Sequence, residues 1–235
     1  MSTDTQKQAF LLLGAPGSGK GTQGRILCTR RSGIKFFSIG EALRQHVQNS
    51  TPLGERIQEN LKQGRLVDAN SILEVLVKFL NASQSPYVLI DGFPRNLEQC
   101  ACFEQWLLKD RSVRVGGVFY LAIEDEVALE RLEKRYVCRG CESVYARDVY
   151  EPEDGICQQC GSQEFFCRKD DQHAQSVARR LNTHKADIQA LLDVYRHRGC
   201  LHVFQAEQDR GVLAQEILDT FDQITIESKG IVGEK

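Results

Sequence analysis

The apolar positions of this chain fall into short continuous runs separated by longer stretches with helical spacing. Ala9 to Leu13 is one such run, closed by a glycine-rich turn, and it predicts a buried strand. The stretch after it, Gly19 to Arg31, carries good helix formers and predicts a helix. Lys35 to Ser38 predicts a second strand. Behind Gly40 lie three helical patterns, about Glu41 to Gln48, Pro52 to Gln63 and Ala69 to Leu80, with Pro52 suited to a first helical turn. Tyr87 to Asp91, Val113 to Ala122 and Cys200 to Gln205 predict three more strands, each leading into helical sequence. This alternation predicts an α/β fold, a parallel five-stranded sheet flanked by helices, with ligands bound beyond the carboxyl ends of the strands.

Two stretches interrupt the alternation. The helical patterns after Gly40 read as an insertion, and Tyr136 to Asp171 is turn-rich and carries two Cys-x-x-Cys pairs. Helical spacing then resumes from Gln175 to Arg198 through Val177, Leu181, Ile188, Leu191, Leu192 and Tyr195. The 235 residues allow one core of this kind with room for both insertions. A formal net charge of -2 offers no broad attraction to nucleic acid or acidic lipid, and the longest apolar run is far short of the ~20 residues of a membrane span. Neither a nucleic-acid nor a membrane partner is expected. The polar opening MSTDTQKQ has no export pattern, so the expected compartment is the cytoplasm.

The turn after the first strand reads LLLGAPGSGKGTQ, Leu11 to Gln23. Gly14, Gly17 and Gly19 allow a tight loop whose backbone N–H groups converge, and the helix behind it adds its positive end, so polyphosphate oxygens are the expected ligand. Lys20 would reach the β and γ phosphates. A hydroxyl normally follows that lysine and ligates magnesium, but Gly21 stands there, with Thr22 after it. The overlapping G-x-G-x-x-G from Gly19 to Gly24 starts inside the helix and is no dinucleotide fingerprint.

The fuller string GAPGSGKGTQ, together with DGFPR from Asp91 to Arg95, resembles the adenylate kinases. In that family Lys-Gly-Thr is usual, and the magnesium is held largely through waters oriented by an aspartate matched here by Asp91. The resemblance covers about Phe10 to Ile224 and implies a magnesium-dependent monomer that converts ATP and AMP reversibly into two ADP in adenine nucleotide homeostasis. It implies a P-loop NTPase-type core of residues 1–37, 68–135 and 172–235, a nucleoside-monophosphate-binding insertion at 38–67 and a lid at 136–171.

Carried over residue by residue, the resemblance gives an ATP site of Gly17, Ser18, Gly19, Lys20, Gly21, Thr22, Arg131 and Arg135. The AMP site becomes Ile39, Arg44, Gly64, Leu66, Val67, Gly92, Arg95, Gln99, Arg168 and Arg180. Lys20, Arg95, Arg131, Arg168 and Arg180 are the implied catalytic set. So many arginines suit phosphoryl transfer, because the group in flight spreads negative charge over its oxygens and a planar guanidinium binds two oxygens at once.

Cys138-x-x-Cys141 and Cys157-x-x-Cys160 have the spacing of a four-thiolate zinc site, with a disulfide pair or free thiols as alternatives and iron as a second metal. All four ligands come from protein, so the expected role is structural, clamping a segment too small to bury a core alone. The segment resembles the zinc-bearing lid of long-form adenylate kinases.

Three departures from the family pattern bear on specificity. Ile39 stands where a threonine is usual near the acceptor base; one extra residue between Asp171 and Leu181 leaves Arg179 and Arg180 competing for one role; and AEQDRGV replaces the usual stretch around the donor base. A nucleoside monophosphate kinase with another acceptor, or a weakly active nucleotide-binding scaffold, are the competing functions.

Overall fold

The computed structural model describes residues 6–63, 65–147, 151–168, 171 and 174–230. Its centre is β1 (Lys7–Gly14), whose alternate residues feed two cores: Ala9, Leu11 and Leu13 on one side, Phe10 and Leu12 on the other. β1 lies between β3 (Tyr87–Asp91) and β4 (Val113–Ala122), and β2 (Ile34–Ser38) and β8 (Leu201–Gln205) form the edges. The order β2-β3-β1-β4-β8 is parallel throughout, as the alternation of strands and helices requires.

α1 (Lys20–Arg30) and α8 (Arg210–Gly230) cover one face, where Leu27, Leu213, Ile217 and Phe221 meet Phe10, Leu12 and Phe119. The Phe10 and Phe221 rings lie 4.7 Å apart, and full burial of each such side chain stabilises the fold by roughly 1.5–3 kcal/mol. α4 (Ala69–Ala82), α5 (Leu97–Lys109) and α7 (Ala174–His197) cover the other face through Leu76, Leu80, Phe103 and Leu191. α2 (Ile39–Gln48) and α3 (Pro52–Lys62) pack as a hairpin whose Leu43, Leu53 and Ile57 join that same core. Thr51 Oγ1 accepts from Gly54 N at 3.1 Å and caps α3, with Pro52 in its first turn as expected.

After α6 (Asp125–Glu133) comes a separate small antiparallel sheet of β5 (Arg135–Cys138), β6 (Val144–Ala146) and β7 (Phe165–Phe166), ordered β6-β5-β7. The cysteine stretch therefore has strands where turns alone were expected. It also has a core of its own: Tyr145, Cys138 and Cys157 are buried, with Tyr136 and Phe165 packed edge to face at 5.4 Å. Among the described residues no helix is long and apolar enough to cross a membrane.

Candidate active site

β1 ends at Gly14 and the chain turns into α1 at the carboxyl edge of the sheet. Gly17 takes φ 89°, and a Cβ there would stand 2.5 Å from the Ala128 carbonyl oxygen, so only glycine lets the loop pass α6 so closely. Gly19 caps α1 in left-handed conformation without a side-chain hydrogen bond, and no acidic residue occupies the first turn. The orphan N–H groups at that helix start are thus matched to an anion from outside the helix. Lys20 Nζ folds back onto the loop, donating to the carbonyls of Gly14 at 2.8 Å and Ala15 at 2.7 Å and to Ser18 Oγ at 3.2 Å. Burial pushes the Lys20 amine down to about 8; Asp91 opposes this, while Arg95, Arg135 and Arg180 push it further the same way.

The parallel register of β2 on β3 sets Ser38 beside Asp91, and Ser38 Oγ donates to Asp91 Oδ2 at 3.1 Å. Asp91 Oδ1 is buried and has no partner. A Cβ on Gly21 would meet nothing nearer than Asp91 Oδ2 at 3.9 Å, so the missing hydroxyl leaves open space in front of this carboxylate. A buried acceptor without a donor, facing a phosphate loop, fits a hydrated magnesium ion whose water supplies the missing hydrogen bond.

These groups open onto one cleft of about 770 Å³. Gly17, Ser18, Gly19, Lys20, Gly21 and Thr22 line it from the loop, and Ile39, Arg44, Leu66, Val67, Gly92 and Arg95 from the side of α2 and α3. Arg131, Arg135, Arg168 and Arg180 line it too, together with Val144 to Ala146 of β6. Arg95 Nε donates to the Gly92 carbonyl at 2.9 Å, and Arg131 Nη2 to the Ala206 carbonyl at 2.9 Å. Arg135 grips Asp171 with two bonds, Nε to Oδ2 at 2.8 Å and Nη2 to Oδ1 at 2.7 Å, while Arg180 Nη1 reaches the same Oδ1 at 2.8 Å. Burial lowers the Arg135 guanidinium to about 10, with Arg168 and Arg180 adding to the shift and Asp171 opposing it.

Other expected positions are distributed differently. Gln99 is buried behind the cleft wall, its Oε1 accepting from Arg95 N at 2.8 Å and its Nε2 donating to the Val67 carbonyl at 3.4 Å. Gly64 lies outside the described residues. Arg179 and Arg180 part company: Arg180 faces the cleft, whereas Arg179 Nη1 donates to the Gln63 carbonyl at 2.8 Å. Ala206 to Arg210 also line the cleft, and Asp209 Oδ1 caps α8 by accepting from Gly211 N and Val212 N. Sequence reasoning missed Asp171, whose one signal was its place in RKDD beside Arg168, and His184, which no motif marks. The His184 ring lines the cleft, stacks on Tyr120 with centroids 6.5 Å apart, and keeps Nε2 buried without a partner.

Cys138, Cys141, Cys157 and Cys160 bring their sulfurs within 4.8 Å of one another. The Cys138–Cys160 and Cys141–Cys157 separations are both 3.5 Å, far beyond the ~2.05 Å of a disulfide and near the ~3.8 Å between ligands of a tetrahedral four-thiolate ion. None of the nine cysteines forms a disulfide, so the disulfide alternative is not realised. Burial opposes ionisation of Cys157, but hydrogen bonds from the Tyr145 hydroxyl and from backbone amides outweigh it and lower its pKa, while the neighbouring cysteines push that of Cys160 up. Four sulfurs closed around one point fit a metal ion.

A phosphate loop at the carboxyl edge of a parallel sheet, facing guanidinium groups across one cleft, defines a nucleotide-binding protein of the P-loop class. Residues 12–200 match the profile of the family described as adenylate kinase. Curated relatives named adenylate kinase include proteins from Caldicellulosiruptor bescii, 33% identical over 89% of this chain and 96% of its own length, and Rickettsia africae, 32% identical over 88% and 97%. That of Caldicellulosiruptor saccharolyticus is 34% identical over 89% and 96%. The chain belongs to the adenylate kinase family.

Proposed function

We propose that this chain moves the terminal phosphoryl group of ATP onto AMP, giving two ADP reversibly. The observation that carries the reading is the cleft in which the buried amine of Lys20 and eight arginines drawn from several elements converge. Lys20 and the N–H groups opening α1 bind the donor phosphates, and Arg44 and Arg95 bind the phosphate of the acceptor. Arg131, Arg135, Arg168 and Arg180 surround the group in transit, where charge spreads over its oxygens. Asp171 keeps two of those forks aimed before the nucleotides arrive. No general base is required, because the attacking phosphate oxygen is already anionic near neutral pH.

Magnesium, when bound with the donor, supplies neutralisation of phosphate charge, and Asp91 would hold its waters. Residues 1–37, 68–135 and 172–235 are taken as the core, 38–67 as the acceptor insertion and 136–171 as a lid pinned by zinc at the four cysteines. The lid excludes water, which would otherwise accept the phosphoryl group. The reading takes the protein as a cytoplasmic monomer, a compartment in keeping with nine cysteines outside any disulfide. A coupled assay with ATP over AMP, CMP, UMP and GMP tests it: AMP is expected to lead, and another acceptor preferred tenfold, or no transfer to any, overturns it. Lys20→Ala is expected to abolish turnover with its melting transition retained.

A further inference from the structure

α7 turns two adjacent arginines toward different neighbours. Arg180 joins Asp171 in the phosphate cluster, while the exposed Arg179 reaches across to α3 and donates to the Gln63 carbonyl at 2.8 Å. Gln63 is the C-cap of α3, so its carbonyl belongs to the group left without an intrahelical partner, at the negative end of the helix. A guanidinium is the ligand such an end favours. The chain leaving Gln63 is then held at two further described points, Arg65 N on the Asn60 carbonyl at 2.8 Å and the Val67 carbonyl under Gln99 Nε2 at 3.4 Å. Leu66 and Val67 line the cleft between them. Of the three ties, the one from Arg179 alone comes from the helix that also carries a cleft guanidinium.

We propose that Arg179 is a positioning residue for the nucleotide acceptor: by holding the carboxyl end of α3 it fixes the wall that Leu66 and Val67 present to the acceptor base. This rests on the kinase reading, in which that wall receives AMP. Because Arg179 and Arg180 are consecutive on one helix, the wall and a phosphate-binding fork are tied to the same element.

Calorimetric titration of the full chain with AMP and, separately, ATP, combined with steady-state kinetics, tests this. Arg179→Ala is expected to weaken AMP binding about fivefold, the worth of one charge-assisted hydrogen bond at an exposed site, with ATP affinity within about twofold. The change should fall on KM for AMP rather than on kcat. Arg179→Lys, which keeps a cationic donor, is expected to restore AMP affinity to within about twofold of the parent. AMP affinity unaltered in Arg179→Ala, or ATP affinity falling in parallel with it, overturns the proposal. If the parent protein binds AMP but passes it no phosphate, the kinase reading fails while the split between AMP and ATP still judges Arg179; a parent that binds no AMP overturns both.

Discussion

His184 gives the fold a calculable sensitivity to acid. Its ring is held between Tyr120 and the cleft; burial first, then the charges of Lys20 and Arg95, push its pKa from 6.5 down to about 3, with Asp125 opposing. Its folded pKa is therefore depressed, and the unfolded chain binds more protons at this site between pH 6.5 and 3. Stability from keeping the imidazole neutral is complete above pH 6.5 and is lost progressively below it. At pH 5 a single group with these two pKa values costs about 2 kcal/mol, and water reaching a partly exposed ring trims this to about 1–2 kcal/mol. For a domain of this size that is about 3–6 °C in Tm. His184→Phe keeps the stacking partner for Tyr120 and removes the titrating nitrogen. Melting both proteins at pH 7.5 and 5.0 isolates the effect, because carboxylates and metal-bound thiolates take up protons in both alike. The parent's Tm is expected to fall further than the variant's by about 3–6 °C. Equal falls in the two proteins would refute the assignment.

Two further outcomes follow from groups already described. With the Lys20 amine at about 8, ATP affinity in the absence of AMP is expected to decline above pH 8, approaching tenfold per pH unit, since the phosphates must bind a re-protonated lysine; a titration flat from pH 7 to 9.5 would contradict it. Chelation is expected to lower Tm and to make the thiols of Cys138, Cys141, Cys157 and Cys160 reactive toward a thiol reagent, with one zinc ion per chain found by metal analysis beforehand; a metal-free protein with the same Tm would remove the zinc claim.

The core was legible because its periodicity is simple. The apolar run of β1 and the branched strand Tyr87 to Asp91 can only be buried on both faces, and the helical sequence after each forces parallel pairing. Ends moved by a residue or two, as where α2 begins at Ile39 instead of Glu41, because Ile39 finds burial that its place after Ser38 does not announce. β6 and β7 were invisible for a different reason: three and two residues give no alternation to read, and it is the aromatic cluster around Tyr145 that pairs them with β5. Motif-borne residues such as Lys20, Asp91 and Arg95 could be named in advance. Asp171 and His184 could not, since each owes its importance to what the fold sets against it from far along the chain.

Gly21 shows how the two kinds of information combine. Alone, a glycine after the phosphate-loop lysine is a missing ligand. Parallel pairing of β1 with β3 puts Leu12 opposite Asp91, which carries a carboxylate to the edge from which the loop springs, and Ser38 on β2 satisfies one of its oxygens only. The other oxygen stays buried and unpaired, while the oxygen that Ser38 holds lies 3.9 Å from where a Cβ on residue 21 would stand. The carboxylate and the glycine thus fit one arrangement, in which Asp91 would hold a magnesium ion through water where no loop hydroxyl is available.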